Sequence, residues 1–323
     1  MNSSVFNPLC PNFAGIDTFH NIPFQADLAG MDYAVIGIPY DCGSVMRAEA
    51  RLGPGSVRVD SFDKNELGWS TDCQVYAGGS FRGTDYGEVP VKFGYLQPSL
   101  RIIEEFTAKI TDQGVTCIAI GGGQICTLAE VRAVSRRYGR LALVHFGAGR
   151  SVRDFGTEYD DETAVRRMIE EGLVDCSHSI QLGARGGYHS KAEMDYGKDL
   201  GMEVIPAFRL HEMNRSNVMD MVKQKVGKIP CFVSIDLNVL DPAFAPGVTS
   251  PVSGGASSTD IRQIVRDIFI HLDIKAADIV GMTPAYDPGH ISAQLVHGII
   301  CEMVCSLAKR RQELKGGIVC ASE

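Results

Sequence analysis

Residues 232–255, FVSIDLNVLDPAFAPGVTSPVSGG, decide how the rest of the chain is read. Phe232, Val233, Ile235 and Leu237 form an apolar run of strand length, and Pro242, Pro246, Gly247 and Pro251 forbid regular structure straight after it. A strand therefore ends at Asp236. Parallel strands of α/β proteins present ligand-binding groups at their carboxyl ends, so Asp236, Asn238 and Asp241 stand where chemistry is usually done. The alternative is that these polar groups only cap a turn.

Similar runs recur on both sides of this stretch. YAVIGI at 33–38, VTCIAI at 115–120, LALVHF at 141–146, HSIQLGARG at 178–186, a segment at 203–206 and ADIVGMTPAYD at 277–287 read as further strands. The spacing of Leu100, Ile103, Phe106, Ala108 and Ile110 predicts an amphipathic helix over 99–113. Other helices are expected to about Tyr138, near 190–200, from about 210 to 226, over 258–272 with Thr259 as N-cap, and over 291–309 with a basic last turn. Residues 62–93, rich in Gly, Asp and Ser, read as loop with short strands. Alternating strands and helices imply an α/β fold around a parallel sheet. No linker interrupts the pattern, so residues 1–323 are expected to form one domain, with 1–30 as an N-terminal arm.

Composition narrows the class. With 323 residues, 45% of them hydrophobic, the chain buries a sizeable core. A net charge of −8 without any long Lys/Arg cluster argues against nucleic acid as a partner. No apolar run reaches the roughly 18 residues that span a bilayer, and MNSSVFNPLCPNF has neither a basic start nor an apolar core, so a cytoplasmic protein without a membrane partner is expected. The 10 cysteines are scattered and contain no CxxC pair, which indicates neither a zinc site nor a disulfide framework. Most are expected to be small core residues. The glycines of GGGQICTLAEVRA, 121–133, lie between a strand and a helix, where backbone amides take phosphate, but their spacing is not GxGxxG and no nucleotide cofactor is expected.

The run at 232–255 resembles SxDxDxxDPxxxPGTGTPxxGG, the pattern of the ureohydrolases, the arginase and agmatinase family. PNFAGIDTFHNIP at 11–23 resembles the agmatinase-type leader PxFAGIxTFxxxP, and RAEARLGPGSVR at 47–58 resembles RxGARxGPxxIR, with Glu49 in place of a Gly. The resemblance extends from Pro11 to the last helix. It implies a single three-layer αβα domain with a mainly parallel sheet of about eight strands, and a homo-oligomer of trimeric or hexameric type.

The same resemblance implies a pair of Mn²⁺ ions held at six positions, which in this chain are Gln124, Gly147, Gly149, Ser151, Asp236 and Asn238. Only Asp236 keeps an anionic side chain that the family uses. Gln124 takes the place of the His in GGDHS, with Gly123 in place of its acid, and Gly147, Gly149 and Ser151 replace the three ligands of HFDAHxD. Asp161 stands at the family's proton-shuttling His, with Glu162 and Ala164 at the neighbouring Gly and Pro; Gly281 stands at its guanidinium-binding Glu. Two divalent ions are tolerated side by side only with several carboxylates and a bridging hydroxide. From these positions the chain is expected to carry no Mn²⁺ and no other cofactor.

Two functions follow as expectations. One is a pseudoenzyme, a scaffold or regulatory partner, for instance of an active paralogue. The alternative is a metal-free enzyme that uses the emptied cleft for a guanidino, amine or amide small molecule, as in a specialised biosynthetic pathway. Candidate residues for such a cleft are Cys126, His145, Arg150, Asp154, Asp161, Asp236 and Tyr286. Each also has a structural role open to it: Cys126 as a helix residue, His145 as a strand histidine satisfied in the core, Arg150 and Asp154 as a loop ion pair.

Overall fold

The computed structural model describes residues 16–44, 46–61, 67–149, 151–153, 156–188 and 190–319. In chain order the strands are β1 Tyr33–Gly37, β2 Trp69–Ser70, β3 Val75–Tyr76, β4 Gly83–Glu88, β5 Thr116–Ile120, β6 Ala142–Phe146, β7 Ile180–Ala184, β8 Glu203–Pro206, β9 Cys231–Asp236 and β10 Ile274–Val280. The helices are α1 Gly53–Asp60, α2 Ala77–Ser80, α3 Leu96–Thr111, α4 Ile125–Tyr138, α5 Ala164–Glu170, α6 Lys191–Asp195, α7 Ala207–Glu212, α8 Arg215–Val226, α9 Ser258–His271 and α10 Ile291–Val319.

Eight strands make one parallel sheet in the order β4-β1-β5-β10-β9-β6-β7-β8, while β2 and β3 pair separately. Side chains alternate across a strand, so a doubly covered sheet needs apolar residues at nearly every position. Along β5, Ile118 and Ile120 join a cluster with α8, α9 and α10, while Cys117 and Ala119 join a second cluster with α3, α4 and α5. Three layers result, as expected for the fold. The register also aligns a polar row through the centre of the sheet: Asp278, Ser234, His145 and Gln181 are successive partners on β10, β9, β6 and β7.

Several boundaries differ from the sequence expectation. The segment at 62–93 hides the edge strand β4, GTDYGE, whose buried Asp85 is neutralised by Arg58 at 2.9 Å. The helix expected near 190–200 contracts to α6, and the one over 210–226 divides into α7 and α8. Ser257, not Thr259, caps α9: its hydroxyl accepts from Asp260 N while the Asp260 carboxylate accepts from Ser257 N. Such a cap is worth about 1 kcal/mol. The strand expected over 277–287 ends at Val280, because Gly281 turns into the left-handed region at φ 82. One helical stretch, Pro288–Leu314, is long and apolar enough to cross a membrane, contrary to the reading of the sequence; most of it is buried inside the protein, packed on α9 and α1.

Candidate active site

A cleft of about 330 Å³ opens where the strands end, floored by Gln124, Gly149, Asp236 and Asn238 and walled by Ser44, Asp161 and the turn at 185–188. Asp236 is the last residue of β9. Its Oδ1 accepts from Asn238 N at 2.9 Å and Asn238 Nδ2 at 2.6 Å, so the chain closes into a short 3-10 turn directly beyond the strand. Asn238 is itself held by Thr249 Oγ1 and Ser250 N. Burial pushes the Asp236 carboxyl up to about 7, with the charge of Asp161 adding to the effect and Asn238 and Arg185 opposing it.

Arg185 fixes this elbow from below. Its guanidinium donates to the carbonyls of Asn238, Val239, Leu240 and Val252 at 2.6–3.0 Å. Asp241 proves to be a turn clamp, accepting from Ala243 N and Gly254 N and standing outside the cleft lining.

Asp161 reaches the cleft from the loop before α5. Its Oδ1 accepts from Ile125 N, at the start of α4, and its Oδ2 from Ser44 Oγ, both at 2.9 Å. Burial raises its carboxyl to about 6 despite those two bonds. A Cβ on Gly123 would lie 2.4 Å from Asp161 Oδ1, so a glycine at 123 makes room for this carboxylate. The acid that the family pattern places at 123 is thus replaced in space by one from 161.

Gln124 connects the cleft to the polar row in the sheet. Its Nε2 donates to Thr127 Oγ1 at 2.9 Å and Ser234 Oγ at 3.1 Å, and its buried Oε1 has no hydrogen-bond partner among the described residues. Gln181 Nε2 reaches the same floor from β7, donating to Gly149 O at 2.7 Å.

Of the candidates from sequence, Asp161 and Asp236 converge. Cys126 is buried in α4 with its thiol toward Tyr40 O, and burial pushes that thiol up, away from nucleophilic character. His145 is fully buried in β6, and Tyr286 is half exposed under the Arg47 guanidinium; neither lines the cleft. Arg150 and Asp154 lie outside the described residues. Glu49 takes a left-handed φ of 80 and does not line the cleft either. The sequence missed the rim: Arg153 pairs with Glu193 at 3.2 Å and with Glu162, and all three line the cleft.

The model of the arginase family matches residues 31–305. The chain belongs to the arginase family. It is 35% identical to a guanidinopropionase of Pseudomonas aeruginosa over 93% of this chain and 94% of that one. It is 32% identical to an agmatinase of Neisseria meningitidis over 84% and 86%. Proclavaminate amidino hydrolase from Streptomyces clavuligerus superposes with a TM-score of 0.87 at 30% identity, over 93% of this chain and all of that one.

These arginase-family relatives overturn two expectations. The non-catalytic reading has no support, since proteins 32–35% identical over most of the chain carry names of guanidino hydrolases. The expectation of no metal does not stand either. Six positions alone do not exclude a metal from the chain, and elsewhere in the structure His20, His297 and Cys301 bring three ligand atoms within 4.8 Å of one another. The substitutions themselves remain. Gly147 and Gly149 offer no side chain, Asn238 is committed to Thr249 and Ser250, and among the described residues the carboxylates lining the cleft are Asp161, Asp236, Glu162 and Glu193, the last two paired with Arg153, with Gln124 Oε1 beside them and no imidazole. This set does not match a pair of ions held by carboxylates and imidazoles, so no chemical step is derived through such a pair.

Proposed function

We propose that the chain hydrolyses a small guanidino or amidino compound whose cationic end lies against Asp161 and Asp236. The observation that carries this is two carboxylates in one cleft, raised to about 6 and about 7 chiefly by burial. Desolvated anions hold their protons until a cation replaces the lost water. A guanidinium does so with parallel N–H groups that suit a carboxylate in two charge-assisted bonds. The names of the relatives support the same substrate class.

The guanidinium pairs with Asp161, which leaves Asp236, raised to about 7, matched to general-base work at neutral pH. Asp236 takes the first proton of the attacking water as its oxygen bonds to the guanidinium carbon. The bond from that carbon to the substituted nitrogen then breaks. Both water protons finish on the leaving amine, and urea is the other product.

Among the described residues, four carboxylates line the cleft, Asp161, Glu162, Glu193 and Asp236, against two guanidiniums, Arg153 and Arg185, an excess of acidic side chains. That excess favours a substrate with a second cation, of agmatine type, over a guanidino acid. We place the enzyme in the cytosol as a homo-oligomer of trimeric or hexameric type; a monomer in light scattering would count against the assembly.

The test is urea release from agmatine, 3-guanidinopropionate and 4-guanidinobutyrate by the purified chain, with and without added Mn²⁺. Turnover of one of them, reduced about 100-fold or more by Asp236→Asn, is the expected result. No turnover and no calorimetric binding of any guanidino compound would overturn it.

A further inference from the structure

Away from the cleft, the segment before β1 meets α10 through two imidazoles and a thiol. His20 and His297 stack with ring centroids 4.1 Å apart, and Cys301 Sγ lies 3.2 Å from His20 Nδ1. All three residues are buried, and one ligand atom from each lies within 4.8 Å of the others. We propose that His20, His297 and Cys301 form a mononuclear site for a borderline transition ion, zinc(II) by preference, that staples the segment before β1 to α10.

The placement is that of a metal site. His297 and Cys301 stand at i and i+4 on α10, a spacing that puts two side chains on one helix face and that helical zinc sites use. The third group arrives from another element, the 3-10 turn Phe19–Asn21, where His20 and Asn21 adopt φ of 51 and 52. Left-handed backbone at a non-glycine residue is strained and persists only where its surroundings hold it. Here Asn21 Nδ2 donates to Ser61 O, Phe19 N donates to Asp85 Oδ2, and the turn delivers the His20 ring against α10.

The donor chemistry selects the ion. Two imidazoles and a thiolate suit zinc, whereas manganese and magnesium prefer oxygen. Binding converts the Cys301 thiol to thiolate and releases one proton. None of the three residues lines the cleft, so the ion's part is structural.

Cobalt(II) titration of the full chain, freed of metal by chelation, reads the site directly. One cobalt per chain with thiolate-to-cobalt charge-transfer absorption, displaced by zinc, is expected. Cys301→Ser should abolish the band, and His20→Ala or His297→Ala should weaken cobalt binding at least about 10-fold, since even outer groups around a metal cost that much. Absence of the band in the unmodified chain overturns the proposal. So does its survival in Cys301→Ser, which would assign it to another thiol such as the exposed Cys42. Should the variants not fold, X-ray absorption of the zinc-loaded chain decides: nitrogen and one sulfur around zinc supports the site, and an all-oxygen shell overturns it.

Discussion

Ser234 on β9 and Asp278 on β10 are register partners in the polar row that crosses the middle of the sheet. Gln124 bonds Ser234 from the cleft side and Thr127 bonds Asp278 from α4, so the floor of the cleft rests on a buried polar row. Burial raises the Asp278 carboxyl to about 6. Beneath it Glu130, fully buried in α4, is held well above the usual carboxylate range by burial and then by the Asp278 charge.

Burial and the Asp278 charge favour the neutral form of Glu130, so Glu130→Gln should change stability by less than about 1 kcal/mol at pH 7, a neutral group of the same shape taking its place. Glu130→Ala should cost about 2 kcal/mol or more through the cavity it leaves. Urea unfolding at pH 7 separates the two. An equal loss in both variants would mean that Glu130 is charged.

On the proposed reaction, Asp236 should couple activity and stability to pH in opposite senses. Its carboxyl is raised from 3.8 to about 7, so the folded state binds more protons than the unfolded state between those values. Stability present below pH 4 is lost as pH rises toward 7, by at most about 1.4 kcal/mol for each pH unit crossed. Asp236→Asn should remove part of that slope and raise the unfolding midpoint at pH 8, while abolishing a rise of kcat/KM centred near pH 7. A variant less stable than the parent at pH 8 would contradict this.

The strands were legible because a sheet covered on both faces needs continuous apolar runs, and YAVIG, TCIAI, ALVHF and CFVSID supply them. β4 was not, because at the sheet edge GTDYGE buries Asp85 through an ion pair with Arg58, a partner set by the fold and not by periodicity. Asp236 was legible at the end of its strand, and Asp161 through its place in a resembling motif. Lost ligand positions do not by themselves mean lost function, and a reading position by position cannot see that Asp161 fills the space beside Gly123. Likewise His20 and Cys301 are 281 positions apart, and no local spacing announces their contact.

Arg185→Lys should destabilise the chain by about 2–4 kcal/mol. A single ammonium cannot span the carbonyls of Asn238, Val239, Leu240 and Val252 that the planar guanidinium bridges, and each bond lost to a charged donor is worth about 1.5–3 kcal/mol. Because these carbonyls belong to the elbow that follows Asp236, turnover should fall in the same variant. Guanidinium chloride unfolding and urea release measure the two, and a loss of turnover alone would assign Arg185 to substrate.

Gly123 and Asp161 should prove coupled. A methyl at 123 would lie 2.4–2.8 Å from the carboxylate of Asp161, so one of the two must give way. That carboxylate is not free to swing, since Ile125 N holds one oxygen and Ser44 Oγ the other. Gly123→Ala should therefore break at least one of these bonds and cost about 1–3 kcal/mol, as overpacked sites do. In Asp161→Ala the clash is gone, and adding Gly123→Ala should then cost little. The coupling energy from the double-mutant cycle should lie in the range of about 0.5–3 kcal/mol seen for residues in contact. Additive losses, within about 0.3 kcal/mol, would mean that Asp161 does not occupy the space beside Gly123, and would remove one of the two carboxylates on which guanidinium binding rests.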